Sequence, residues 1–300
     1  MRNSLTGKYT LRSSSALGRQ GPGDNHSQAD KWTISLNRRL GAGRGDMVLG
    51  VFAVFLLYLL YSSGFFTQAA WSDFNRRFYQ NFVKDRRYMM LVDGLKATLF
   101  MTGGATLIGL FVGLILSVIR VAYKGGAQIP VLNKLANTYI TVLRGTPAMV
   151  QLLIWNFTIF ASARDLNTQY IAILAFGLNS GAYVAEIFRG GIESIDPGQM
   201  EAARSLGLSY GTSMRFVILP QALRNVVPML FNEFIALLKE TSVAGYIGID
   251  DLTRAGQNIQ ALTLEHSQPL VMVAIIYLII VLFLTHLVRK LEEWLSRGRR

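Results

Sequence analysis

The chain is organised around long apolar runs, and these limit its fold more than any other feature. Met47–Phe66 extends for 20 residues without a charged side chain. At 1.5 Å of rise per residue that length crosses the ~30 Å hydrocarbon core of a bilayer. Five further apolar stretches follow, at about Leu95–Val121, Leu135–Ala161, Tyr170–Phe188, Leu219–Leu238 and Leu270–Val288. With 51% hydrophobic and only 16% charged residues in 300, such runs cannot all be buried in soluble cores. The predicted fold is an all-α polytopic membrane protein with six transmembrane helices.

Charge then sets the orientation. Residues 1–46 are polar and rich in Ser, Gly and Arg, with no helix or strand period, and are read as a disordered basic arm. The arm is too long and polar for the leading part of a signal peptide, so Met47–Phe66 is taken as a retained first span. Six spans put both termini on one side. With the N-terminus inside, 19 of the 30 Lys and Arg residues fall on cytoplasmic segments and 7 on external ones. The positive-inside rule therefore places both termini in the cytoplasm. Five external cations, Arg76, Arg77, Lys84, Arg86 and Arg87, run against that trend. They lie in segment 67–93, where interleaved aromatics point to an amphipathic piece at the outer interface. The 291–300 tail is basic.

Several chemistries are excluded. There is no cysteine, and the three histidines (His26, His266, His286) are far apart, so no Cys- or His-based metal site is expected. Neither the Gly7–Thr10 stretch nor Gly41, Gly43 and Gly45 make a phosphate or dinucleotide loop. HExxH and GxSxG are absent, so no catalytic residues are assigned. Membrane residence accounts for the net charge of +12 without nucleic acid.

The loop between the fourth and fifth spans is ordered rather than merely polar. Asp196 followed by Pro197 is a helix start, with a side-chain acceptor at the N-cap and Pro at the first helical position. A short helix to about Leu206 follows, ended by Gly207, and Ala202, Ala203 and Leu206 form a small apolar face. Two readings fit: a helix shaped for another protein's groove, or a plain connector.

At this point the residues resemble a known family. Glu201-Ala-Ala, Gly207, Val217 and Leu219-Pro220 stand at the spacing of the EAA loop of ABC-importer membrane subunits. Leu143–Gln151 (LRGTPAMVQ), Asn179–Glu186 (NSGAYVAE), Phe188–Ile192 (FRGGI), Leu219–Arg224 (LPQALR) and Lys239–Gly248 (KETSVAGYIG) are similar to its polar amino acid branch, the histidine, glutamine, glutamate and arginine type. The resemblance covers about residues 90–290. Val217 replaces the usual Ile, and the arm and first span lie outside the shared core.

The resemblance implies a permease in a bacterial plasma (inner) membrane, working with an ABC ATPase dimer, a second permease copy or paralogue, and an extracytoplasmic amino acid-binding protein. ATP and Mg²⁺ belong to the ATPase, and no cofactor to this chain. Carried onto this sequence, Asp196, Pro197, Glu201, Ala202, Ala203, Gly207 and Pro220 form the ATPase-coupling element.

Polar groups inside the spans mark candidates for the substrate path, because each ionisable group costs roughly 2.5–3.5 kcal/mol to insert. Asn179 and Glu186, two turns apart, share a face of the fourth span. Glu186 is either a helix-end charge, paired locally with Arg189, or a path residue that attracts a substrate ammonium. Asn232 and Glu233 follow Pro228 in the fifth span and line the path or join helices by hydrogen bonds. Lys239 snorkels or pairs, and Thr241 follows it. Arg144, beside Gly145 and Pro147, is read as an interfacial anchor in preference to a gate. Pro147 invites a kink in the third span. Gly109 and Gly113 form a GxxxG read as close helix packing rather than a dimer seam. An ion-gradient-driven secondary amino acid transporter is the alternative, although no repeat relates residues 47–160 to 161–288.

Overall fold

The computed structural model describes residues 68–163 and 165–297. The arm at 1–46 and the first span at Met47–Phe66 lie outside the described residues. All described regular elements are helical. The α-helices in chain order are α1 (Gln68–Phe78), α2 (Tyr88–Lys124), α3 (Pro130–Gly145), α4 (Ala148–Ile154), α5 (Thr168–Glu193), α6 (Pro197–Ser205), α7 (Tyr210–Ser213), α8 (Leu219–Glu240), α9 (Leu252–Thr263) and α10 (Gln268–Arg297), with short π- and 3-10 segments between some of them. Among the described residues, Tyr88–Lys124, Thr168–Glu193 and Gln268–Leu295 are long and apolar enough to cross a membrane. The fifth expected span is α8, with Pro228 inside it.

Two differences from the sequence reading concern boundaries. Helix α2 begins at Tyr88, inside the segment expected to lie flat at the interface, where Gln68–Phe78 forms a separate α-helix followed by short π- and 3-10 turns at Tyr79–Val83 and Lys84–Arg86. The third span does not kink at Pro147 but breaks, α3 ending at Gly145 and α4 starting at Ala148. Thr146 and Pro147 are extended, as the residue before a proline favours. A break in a membrane helix leaves carbonyls to be satisfied. Gln151 Nε2 donates to Leu143 O at 2.8 Å, Thr146 O at 3.1 Å and Thr146 Oγ1 at 2.8 Å.

Helices α2 and α5 make the central pair, and their glycines decide how close they lie. A Cβ on Gly113 would stand 2.4 Å from Val184 Cγ1, and one on Gly177 would stand 2.7 Å from Ile108 Cβ. Gly109 faces Ser180 and Gly181 faces Val112 in the same way. The GxxxG is thus spent within the chain, as close packing. Around this pair the main core joins Met101 and Ala105 of α2, Leu152 of α4, Ala172 and Phe176 of α5, and Leu237 of α8.

Helix α9 was not foreseen. Its buried positions, Leu252, Ala255, Gly256 and Ile259, recur at helical spacing and pack against Leu91 and Val273. Asp251 caps it, accepting from the N–H groups of Thr253 at 3.0 Å and Arg254 at 3.2 Å. Thr98 Oγ1 of α2 accepts from Leu252 N at 3.1 Å, which fixes the start of α9 on α2. The outward faces of α2 and α10 carry exposed Leu107, Phe111, Leu278, Ile279, Leu282 and Phe283. In a transmembrane protein those faces suit lipid.

Candidate functional site

The loop after α5 folds as its residues direct. Asp196 is extended (φ −53°, ψ 124°) and its side chain accepts from Gly198 N at 2.8 Å. Pro197 occupies the first position of α6. At the other end Gly207 adopts φ +81°. Its N–H donates to Arg204 O at 3.0 Å, and Leu208 N–H donates to Ala203 O at 3.2 Å. That pair of bonds is the Schellman ending, which needs a left-handed residue and so favours glycine. A nine-residue helix is thereby closed at both ends by its own sequence.

Its two faces differ. Glu201 and Ala202 are exposed, and Leu206 just beyond the helix is 82% exposed. Ala203 is only 4% exposed and turns inward, which corrects its placement on the outer apolar face. A larger residue there would lift the helix off the body. Pro220 stands at the start of α8. Two polar contacts tie the loop to α8: Asn225 Nδ2 donates to Ser194 Oγ at 2.9 Å, and Gln221 Nε2 to Gln199 Oε1 at 3.4 Å.

The candidate path residues do not form one cluster. Thr241 is fully buried and donates to Leu238 O at 2.9 Å, with Thr102 Oγ1 of α2 at 3.3 Å. It joins α8 to α2. Asn179 is buried at 3% exposure, and its Oδ1 has no hydrogen-bond partner among the described residues. Next to it, Ser180 Oγ donates to Glu233 Oε1 at 2.8 Å and links α5 to α8. Asn232 is exposed and lines a separate groove with Arg224, Asn225 and Glu292, while Lys239 is exposed at the end of α8.

Glu186 lies in a charge cluster that single-helix spacing could not reveal. Its Oε1 accepts from Arg120 Nη1 of α2 at 2.5 Å. Its Oε2 accepts from Arg189 Nε at 2.9 Å and Nη2 at 2.8 Å. Arg144, at the end of α3, places Nη1 3.4 Å from the same oxygen, with its Cζ 5.3 Å above the Tyr183 ring. Glu193 pairs with Lys124 at 2.7 Å and also with Arg189. The expected Glu186–Arg189 pair is present, but both Glu186 oxygens are taken by guanidinium groups. Three hydrogen bonds from Arg120 and Arg189 thus reach the Glu186 carboxylate. Arg144 joins this cluster through Glu186 and Tyr183. Arg120, Lys124, Glu193 and Tyr183 were not singled out from sequence. Their only advance signal is a polar side chain near the end of an apolar run.

Comparison with known proteins follows from this geometry. Residues 128–297 match the family described as binding-protein-dependent transport system inner membrane component. The chain is 36% identical over 208 residues to the arginine transport system permease protein ArtQ of Bacillus subtilis (strain 168), covering 69% of this chain and 92% of ArtQ. It is 39% identical over 206 residues to the glutamine transport system permease protein GlnP of Escherichia coli (strain K12), covering 68% and 92%. A crystal structure of an amino acid ABC transporter with histidines aligns at TM-score 0.65 and 38% identity, over 71% of this chain and 97% of that one. An inward-facing MetNI methionine ABC transporter aligns at TM-score 0.60 with 21% identity, a likeness of fold alone.

Proposed function

The chain belongs to the family of binding-protein-dependent transport system inner membrane components, and from this premise we propose that it forms the path for polar amino acids in an ATP-driven importer. Its relatives are amino acid ABC transport permeases, transport components rather than enzymes. In this reading it lies in the plasma membrane with six spans and both termini cytoplasmic. An extracytoplasmic binding protein delivers the amino acid, and a second permease copy or paralogue completes the path. ATP and Mg²⁺ are bound by a separate ATPase dimer.

The observation that carries the reading is the capped, outward-standing helix α6. Glu201, Ala202 and Leu206 present a low profile to a partner, and Glu201 supplies a charge for a basic group there. Buried Ala203 keeps the helix close to the body. Since α6 follows α5 after three residues and is tied to α8 through Ser194–Asn225, a push on α6 reaches both helices. Arginine and glutamine, named for ArtQ and GlnP, are the first substrates to try.

The test is reconstitution of the full complex in liposomes. Glu201→Lys and Gly207→Asp leave membrane insertion intact and abolish uptake by uncoupling the ATPase. Unchanged uptake in both variants overturns the coupling assignment.

A further inference from the structure

The inner-end charge cluster contains one cation more than its geometry uses. Among the described residues of the cluster, Arg120 and Arg189 satisfy Glu186, and Lys124 with Arg189 satisfies Glu193. Arg144 is left with a 3.4 Å charge contact and a stacking contact on Tyr183, and donates no hydrogen bond. Its side chain is 42% exposed. A guanidinium held in orientation with its planar fork unspent is suited to a carboxylate, which takes two parallel N–H donors. In a low-dielectric setting a surplus cation is also costly until an anion reaches it.

The surroundings fit the same ligand. Arg144 borders an open cavity of about 520 Å³ lined also by Arg120, Asn137, Thr141, Tyr183 and Glu186, within the size range of small-molecule sites, roughly 300–1,000 Å³. Asn137, Thr141 and Arg144 recur at i, i+4 and i+7 and so share one face of α3. That face ends at the α3–α4 break, where the chain is free of regular helix.

We infer that Arg144 receives the α-carboxylate of the amino acid as it passes this cavity, with Asn137 and Thr141 beside it. Glu186 and Tyr183 are positioning residues that hold the guanidinium. The inference rests on the reading of the chain as an amino acid permease and assigns to α3 a role opposite in charge to the one first considered for Glu186.

The experiment measures binding of labelled L-arginine and L-glutamine to the complete permease–ATPase complex without the binding protein, in nanodiscs. Each amino acid is compared with its carboxamide, which lacks the negative charge. The wild type binds the free acid at least about tenfold more tightly than the amide. Arg144→Gln weakens the acid by about 10- to 100-fold, the range for a charged hydrogen-bonded pair, and leaves the amide unchanged. Arg144→Lys recovers part of the loss, and Tyr183→Phe, which keeps the ring, binds as the wild type does. Co-elution of the Arg144→Gln permease with the ATPase on size exclusion, at the wild-type ratio, shows an assembled complex. Equal weakening of acid and amide assigns Arg144 a structural role and overturns the inference, as does unchanged binding of the acid. Nanodiscs of phosphatidylcholine alone and with phosphatidylglycerol distinguish a lipid headgroup. An Arg144 effect confined to phosphatidylglycerol overturns the assignment to substrate. ATP-driven uptake is measured in parallel. Normal uptake by both wild type and Arg144→Gln overturns this inference alone, whereas no uptake by the wild type overturns the functional reading beneath it.

Discussion

Replacing Gly113 by Ala tests the packing on which every helix position in this account depends. The added Cβ would sit 2.4 Å from Val184 Cγ1, 2.5 Å from Val184 Cβ and 2.9 Å from Gly181 O. Ordinary Cβ contacts begin near 3.4 Å, so α2 and α5 must part locally by about 1 Å, the difference between 3.4 and 2.4. A rotamer change does not remove the clash, because one neighbour is a Cβ and another a backbone oxygen. Overpacking of this kind costs typically about 1–3 kcal/mol, and the better helix propensity of Ala returns about 1 kcal/mol. Gly103 on the same helix supplies the control, since a Cβ there meets no atom within 4 Å among the described residues. Gly103→Ala keeps the propensity gain, so the two variants should differ by roughly 2 kcal/mol. Thermal unfolding of the purified chain in one detergent reads this as a Tm gap of about 4–8 °C, with Gly113→Ala lower. Equal Tm values for the two variants would refute the glycine-limited approach of α2 to α5.

Two further predictions concern polar groups outside the central pair. Gln151→Leu leaves the Leu143 and Thr146 carbonyls at the α3–α4 break without their donor, at about 1–3 kcal/mol for a buried unpaired group. It should lower Tm by several degrees, and an unchanged Tm would show that the break does not need Gln151. In the loop before α10, Ser267 and then Arg77 hold the Glu265 carboxyl below the usual carboxylate range. A depressed carboxylate stabilises the fold above its unfolded value, about 4.3, and that contribution is lost as pH falls through its folded value. The Tm gap between wild type and Glu265→Gln is therefore present at neutral pH and closes on acidification. A gap independent of pH would contradict the ionic origin.

The parts of the fold legible in sequence were those set by local pattern. The runs around Leu95–Val121, Tyr170–Phe188 and Leu270–Val288 reappear as the cores of α2, α5 and α10, each longer by at least two residues at either end. Helix α6 was legible at both ends because Asp196-Pro197 and Gly207 act through their own backbones. Helix α9 was not, since its apolar positions are few and mild and Asp251 alone announces its start. The Pro147 break exceeded the expected kink because Gln151 makes a full interruption affordable. The charge cluster was legible only as far as the i,i+3 pair of Glu186 and Arg189. Arg120 lies 66 residues from Glu186 along the chain, and no spacing rule joins two separate helices. The face of Ala203 was misjudged for a related reason, as the helix period shows which residues share a side but not which side meets the body.

The central claim, that helix α6 stands on the cytoplasmic surface as the seat of an ATPase, is open to one direct measurement. The chain has no cysteine, so Leu206→Cys introduces a single thiol at a position 82% exposed. In oriented vesicles a membrane-impermeant maleimide should label it only from the cytoplasmic side, and adding the ATPase subunit should protect it. Labelling from the outer side, or equal labelling with and without the ATPase, would contradict the account.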